Sequence, residues 1–129
     1  MKRLKKVLHV DDDEDIRTIA KMAMDVVGDL EVHQCAFGAQ AIAEAAAFAP
    51  DLFLLDFMMP EMDGETTFQN LRQIPGLENV PVIYMTARVQ RDFSQKLIEG
   101  GALAVLAKPF DPMELCAQLH EAWERRPKQ

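Results

Sequence analysis

Charged and hydroxyl side chains stand at the ends of short apolar segments in this sequence, at Asp11, Asp12, Asp56, Thr86 and Lys108. If those segments are parallel strands, their carboxyl ends meet at one edge of a sheet, which is where binding sites lie. Clustered carboxylates repel each other unless one is protonated or a cation lies among them. Oxygen ligands favour a hard cation, and Mg²⁺ typically binds one or two carboxylates and reaches substrate phosphates.

Such a cluster suits phosphoryl transfer to a carboxylate. Asp56 beside Mg²⁺ can accept a phosphoryl group, because aspartate is a known nucleophile in aspartyl-phosphate chemistry. The transition state needs its equatorial oxygens neutralised, and we expect Mg²⁺, Lys108 and Thr86 to hold one oxygen each. The Lys108-Pro109 bond makes Pro109 a candidate for a cis peptide, which the sequence leaves open.

Alternating apolar and amphipathic segments predict the five β-α units that must position these groups. We predict strands at 6–10, 31–35, 51–57, 81–85 and 103–107, and helices at 15–27, 39–48, 65–74, 91–99 and 112–123. Asp13 is expected to cap the first helix, and Asp111 the last, with Pro112 at its first position. Apolar runs on most strands predict a parallel sheet covered by helices on both faces.

Composition narrows the class of protein. The chain has 129 residues, which predicts a single domain over 1–129 with a short basic tail from about 125. Its net charge is −7, which disfavours direct binding to nucleic acid. No segment reaches membrane-spanning length, so we expect a soluble, cytoplasmic protein without a membrane partner.

The cysteines and histidines are expected to be structural. Cys35 and Cys116 have no spacing typical of a zinc site and are predicted to be reduced thiols. His9 is predicted to be a core histidine with satisfied hydrogen bonds, and His33 and His120 are predicted to lie at the surface.

Five stretches of the sequence together resemble the receiver domains of two-component response regulators, in the style of the single-domain chemotaxis regulators. They are residues 7–14, 50–56, 59–64, 81–88 and 107–110. The resemblance covers essentially the whole chain. It implies an α/β fold of the flavodoxin-like (βα)5 type, a doubly wound parallel sheet with strand order 2-1-3-4-5.

The resemblance also implies a function and its residues. Asp56 would be the phosphoacceptor, with Asp11, Asp12, Asp56 and the backbone carbonyl of Met58 as Mg²⁺ ligands, and Thr86, Ala87 and Lys108 around the phosphoryl group. The donor would be a phosphohistidine on a sensor histidine kinase or a histidine phosphotransfer protein. The output would pass to a separate protein through the face formed by the fourth helix, fifth strand and last helix, which also mediates homodimers in proteins of this kind.

One position departs from the family pattern, which usually has Tyr or Phe three residues before the lysine. Val105 stands there. We therefore hypothesise that Thr86 still moves on activation while the readout uses backbone shifts, Tyr84 or Phe110. The departure also leaves open a second class of function, a receiver-like interaction module that is never phosphorylated.

The residues that follow Asp56 and the first strand disfavour an enzymatic function. A phosphatase with paired acids would need a second acid two residues after Asp56, where Met58 stands. A nucleotide or flavin binder would need glycines after the first strand, where acids would instead repel a phosphate.

Overall fold

The computed structural model describes residues 3–88 and 90–127. Its strands are β1 Lys6–Val10, β2 Glu31–Cys35, β3 Leu52–Asp56, β4 Val82–Thr86 and β5 Ala104–Ala107. Its helices are α1 Glu14–Lys21, continued by a π-helical segment Met22–Val27, then α2 Gly38–Phe48, α3 Gly64–Leu71, α4 Arg91–Glu99 and α5 Leu115–Glu124. The sheet is parallel, and its order β2-β1-β3-β4-β5 confirms the predicted topology.

Alternate residues of each central strand supply two separate cores, one on each face of the sheet. Leu52 and Leu54 of β3 join the core beneath α1, the π-helical segment and α5. Phe53 and Leu55 join the core beneath α2, α3 and α4. All four side chains are fully buried. Burial on both faces explains why this strand reads as a continuous apolar run.

The first helix differs in hydrogen bonding from the prediction of one regular helix over 15–27. Beyond Lys21 the backbone widens, and the Gly28 amide donates to the Ala23 carbonyl five residues earlier, at 3.1 Å. A Cβ atom on Gly28 would lie 2.1 Å from Cys116 Sγ, so α5 approaches this turn closely. Hydrophobic spacing locates such a helix but does not distinguish α from π hydrogen bonding.

The last helix begins at Leu115, so the prediction that Asp111 caps a helix starting at Pro112 is wrong. The Asp111 side chain accepts a hydrogen bond from the Met113 amide at 2.9 Å, and its carbonyl accepts from Glu114 and Leu115. Asp111 therefore closes a turn ahead of the helix. The helix itself has no side-chain cap. Over the described residues, no helix is both long and apolar enough to span a bilayer.

Candidate functional site

The predicted site residues come together because four strands end at the same edge of the sheet. The register pairs Val10 with Leu55, Asp56 with Met85, and Thr86 with Ala107. Asp11 follows β1 directly and Lys108 follows β5 directly. The site thus lies across the ends of the four strands β1, β3, β4 and β5, where open α/β sheets bind ligands.

Three carboxylates form what we call the acidic pocket: Asp11, Asp12 and Asp56. Each offers an oxygen within 4.8 Å of the other two. Asp11 and Asp56 are buried, whereas Asp12 is exposed. A set of oxygen ligands alone, open to solvent on one side, fits a hard divalent cation that keeps some of its water, such as Mg²⁺.

Lys108 bridges the two buried acids of this pocket. Its Nζ lies 3.1 Å from Asp11 Oδ2 and 3.3 Å from Asp56 Oδ2. Burial lowers the lysine pKa, but the hydrogen bond and charge of Asp11, together with Asp56, outweigh burial and raise it. Lys108 is therefore a cation at neutral pH.

One cation does not balance three acids. The pKa of Asp56 is raised to about 6, first by burial and then by the charge of Asp11, although the charge and hydrogen bond of Lys108 act to lower it. The pocket therefore holds excess negative charge at neutral pH. A divalent cation would relieve that repulsion, which is the electrostatic reason the donor set fits Mg²⁺.

The backbone around Asp11 holds its side chain in place. Asp11 Oδ1 accepts from the Asp13 amide at 2.9 Å, and Arg17 Nη1 donates to the Asp11 carbonyl at 2.7 Å. Asp13 accepts from the Asp15 amide at 2.9 Å and caps α1, as predicted. The neighbouring acids thus have separate tasks, since Asp13 begins a helix while Asp11 faces Lys108.

Asp56 is fixed by the loop that follows it. The Phe57 amide donates to the Met85 carbonyl at 2.9 Å, and the Gly64 amide donates to the Phe57 carbonyl at 2.8 Å. A Cβ atom on Gly64 would lie 2.5 Å from the Asp56 carbonyl oxygen, so only glycine allows this approach. Met58 begins the enclosed loop, with its side chain 70% exposed. The loop therefore folds back onto the backbone of Asp56.

Thr86 and Lys108 are linked through the main chain. Thr86 is buried, its Oγ1 accepts from the Arg88 amide at 3.0 Å, and its carbonyl accepts from the Lys108 amide at 3.0 Å. The Lys108-Pro109 peptide bond is cis. Ala87 is exposed and adds only a methyl group beside the pocket.

An aromatic cluster, which was not predicted from the sequence, lies beside the acidic pocket. Phe57, the residue after Asp56, lies 5.5 Å from Tyr84 and 5.0 Å from Phe93 of α4, measured between ring centroids, edge to face in both pairs. The Arg88 guanidinium lies 4.5 Å from the Phe93 ring centroid. The sequence shows the three aromatic residues, but it does not predict their contact, because that contact depends on how α4 packs against the sheet.

His9 is buried, as predicted, but only one of its two ring nitrogens has a hydrogen-bond partner among the described residues. It is fully buried and its Nδ1 lies 3.1 Å from Gln34 Nε2, but its Nε2 has no hydrogen-bond partner among the described residues. Burial, followed by the charges of Lys108 and Arg17, lowers the pKa of His9 to about 3. His9 is therefore a neutral ring behind the pocket.

The fold and the strand-end site define a class of doubly wound α/β domains with an acidic pocket at the edge of the sheet, and comparison with known proteins identifies the family. The family described as "Response regulator receiver domain" matches residues 7–120. The chain therefore belongs to the response regulator receiver domain family, and it is a homologue of two-component response regulators, as its motifs predicted.

Relatives and solved structures agree with this assignment. Sporulation initiation phosphotransferase F of Bacillus subtilis is 39% identical over 85% of this chain and 86% of its own length. The chemotaxis protein CheY4 of Vibrio cholerae has a TM-score of 0.83 at 29% identity, covering 92% of this chain and 98% of that one. The DNA-binding dual master transcriptional regulator RpaA of Synechocystis is 32% identical over 93% of this chain but only 49% of its own length. The chain thus spans about half the length of some curated relatives.

Proposed function

We propose that this receiver domain is a Mg²⁺-dependent switch that accepts a phosphoryl group on Asp56. The observation that carries the proposal is the charge arrangement, in which three carboxylates lie within 4.8 Å of each other and Lys108 spans two of them. Functional sites commonly contain a buried acid whose pKa is raised by burial and by neighbouring charges.

The chain's own residues have distinct tasks in this proposal. Asp11, Asp12, Asp56 and the backbone carbonyl of Met58 would hold Mg²⁺, which supplies charge neutralisation at the phosphoryl oxygens. One Asp56 oxygen attacks phosphorus, a P–O bond forms, and the P–N bond to the donor histidine breaks. The electron pair of that bond returns to the imidazole nitrogen.

Two further side chains receive the new phosphoryl oxygens. Lys108 Nζ is already within 3.3 Å of Asp56 Oδ2 and can donate to an oxygen carried on that carboxylate. Thr86 Oγ1 accepts from the Arg88 amide, so its hydroxyl hydrogen remains available as a donor. Ala87 leaves space beside both groups because its side chain is a single methyl.

The aromatic cluster offers a route for the readout in place of the aromatic residue usual at position 105. Val105 is paired with Tyr84 in the sheet, and Tyr84 contacts Phe57, which contacts Phe93 of α4. Phe110 instead packs against the opposite core, under α1 and α5. Of the candidate residues, Tyr84 is therefore the one connected to α4 by ring contacts. Movement of Asp56 or Thr86 would reach α4 through Tyr84 and Phe57.

The partners follow from this chemistry. We propose a phosphohistidine on a sensor histidine kinase or phosphotransfer protein as donor, and a separate output protein bound by the α4-β5-α5 face, which could also form a homodimer. No direct contact with nucleic acid is expected. Action in the cytoplasm, a single receiver domain over residues 1–129, and the absence of enzyme activity in this chain belong to the same proposal.

The test is a beryllofluoride titration with Mg²⁺, followed by amide NMR. We expect shifts around Asp56, Thr86 and Lys108 that extend to α4 and are lost in Asp56→Asn. Asp25→Asn, an exposed acid of the π-helical segment, is the matched control and should respond like the wild type. A wild type without Mg²⁺-dependent shifts would instead support the interaction module that is never phosphorylated.

A further inference from the structure

A second group of potential metal ligands lies between β2 and α2, outside the acidic pocket. We call it the β2–α2 cluster: His33, Cys35 and Glu44. His33 and Cys35 are two residues apart on a strand, so their side chains point to the same face. Glu44 of α2 packs over that face. The strand and the helix thus bring imidazole, thiol and carboxylate together.

The distances within this cluster approach those of a metal site. His33 Nε2 lies 2.6 Å from Glu44 Oε1, and Cys35 Sγ lies 3.8 Å from the same oxygen. All three ligand atoms lie within 4.8 Å of one another. Around a tetrahedral Zn²⁺, with bonds of about 2.0 to 2.3 Å, ligand atoms are roughly 3.3 to 3.8 Å apart. Small side-chain rotations would therefore open the pair at 2.6 Å and accommodate the ion.

The burial of the three residues suits a site that an ion can enter. Cys35 is 1% exposed and lies at the floor, in contact with the core beneath α2. The side chains of His33 and Glu44 are 38% and 40% exposed and form the opening. A coordination position on the solvent side would remain for water, as in three-ligand zinc sites.

The surroundings orient two of the ligands. The His33 ring lies 5.3 Å from the Phe48 ring, between centroids, and Gln40 Nε2 lies 3.5 Å from Glu44 Oε1. The hydrogen bond from His33 comes first among the effects that lower the pKa of Glu44, which is therefore ionised at neutral pH. Partners of this kind around a ligand fix its orientation.

We propose that His33 Nε2, Cys35 Sγ and Glu44 Oε1 bind a Zn²⁺ ion. The combination of one sulfur, one nitrogen and one oxygen ligand favours zinc over Mg²⁺ or Ca²⁺, which bind oxygen ligands. The site is independent of the proposed phosphorylation, because it shares no ligand with the acidic pocket.

Binding has a defined proton balance. Cys35 carries its proton in the free protein, because burial and then the charge and hydrogen bond of Glu44 raise the thiol pKa to about 12. When the sulfur–zinc bond forms, that proton leaves to solvent. His33 gives up its Nε2–H hydrogen bond to Glu44, and in the neutral ring the hydrogen moves through solvent from Nε2 to Nδ1, so that Nε2 offers its lone pair without a net loss of a proton from His33. About one proton is therefore released per ion bound at neutral pH.

The test uses Co²⁺ alone as a coloured probe and Zn²⁺ as competitor, both in excess Mg²⁺ to occupy the acidic pocket. We expect a thiolate-to-cobalt absorption band that Zn²⁺ abolishes at one equivalent, with one proton released by calorimetry in two buffers. Cys35→Ser should remove the band. His33→Gln, a substitution at a position that is 38% exposed, should weaken Zn²⁺ binding at least ~10-fold.

Cys116→Ser is the matched control, because Cys116 lies on α5, outside the β2–α2 cluster, and its thiol donates to the Ala23 carbonyl. That variant should keep the band and the wild-type affinity. A band lost in Cys116→Ser but kept in Cys35→Ser would overturn the proposal. So would a wild type without a band, or Zn²⁺ binding of equal strength in His33→Gln.

Discussion

The acidic pocket and the β2–α2 cluster each gather three potential ligands within the same 4.8 Å, yet their chemistry differs. The acidic pocket offers oxygens alone, two of its three acids are buried, and a lysine lies against it. The β2–α2 cluster offers sulfur, nitrogen and oxygen, and two of its three ligands reach solvent. Similar spacing therefore does not define a common ion; ligand type and burial select it.

The two groups also differ in net charge. The acidic pocket retains uncompensated negative charge, and burial followed by the charge of Asp11 raises the pKa of Asp56 to about 6. In the β2–α2 cluster the carboxylate is satisfied by His33 and the thiol is neutral. A cation entering the first relieves repulsion, whereas one entering the second must displace a proton. The occupancy of the second should therefore depend more steeply on pH.

The largest difference we expect is in stability when a partner is removed from each group. Lys108→Met in chelator should lower the free energy of unfolding by about 3 kcal/mol, since it leaves two buried acids without their cation. Glu44→Gln, which breaks a pair exposed to solvent, should change the free energy of unfolding much less. Urea unfolding measures both, and equal losses would contradict the contrast in burial.

Asp56→Asn should stabilise the metal-free protein at neutral pH. The pKa of Asp56 is about 6 in the folded chain against an ordinary value of 3.8, so the folded state holds a proton that the unfolded state has lost between those values. The free energy of unfolding therefore falls as pH rises through that window and stays reduced above it. The variant removes this loss and should gain about 1 to 3 kcal/mol at pH 7, because one pKa unit corresponds to about 1.4 kcal/mol.

The same comparison should shrink as the pH falls. Below about pH 4 the carboxyl of Asp56 is protonated in both states, and wild type and Asp56→Asn should unfold at closer denaturant concentrations. A stability difference that is constant from pH 4 to pH 7 would show that Asp56 is not the titrating group.

Asp12→Asn should affect metal binding at the acidic pocket and not at the β2–α2 cluster. We expect it to weaken Mg²⁺ binding about 10-fold, or about 1.4 kcal/mol, and to leave the cobalt band of the β2–α2 cluster intact. Mg²⁺ binding can be followed as a rise in melting temperature with ion concentration. Loss of the cobalt band in this variant would contradict the independence of the two groups, because the acidic pocket contains no thiolate that could produce the band.

The smallest effect concerns transmission rather than binding. Phe93→Leu removes the edge-to-face contact with Phe57 and should cost about 1 kcal/mol of stability. Beryllofluoride should still shift the amides at Asp56 and Lys108, while the response of α4 becomes weaker. An undiminished response in α4 would exclude the aromatic route and leave backbone shifts as the readout.

The fold and the acidic pocket could be read from the sequence for the same reason. Apolar runs marked the strands, and chemically reactive side chains stood at their ends, where sheet topology brings them together. The start of α5 was misplaced, because Asp111 and Pro112 suit a turn as well as a helix start.

The β2–α2 cluster combines three different residue types, so it has no cysteine or histidine motif of its own in the sequence. Cys35 and Cys116, like His33 and His120, lack the short spacing that is typical of a zinc site. The readable signal was His33 and Cys35 at alternate positions of a predicted strand, which place both ligands on one face. The contribution of Glu44 depends on how α2 packs over β2, and no local pattern specifies that packing.

The most direct test of the central claim is phosphorylation by acetyl phosphate with Mg²⁺, read by intact mass spectrometry on wild type and Asp56→Asn. We predict that the wild type gains one phosphoryl group only when Mg²⁺ is present, and that Asp56→Asn gains none. A wild type that stays unmodified, or an Asp56→Asn variant modified to the same extent, would contradict the assignment of Asp56 as the phosphoacceptor.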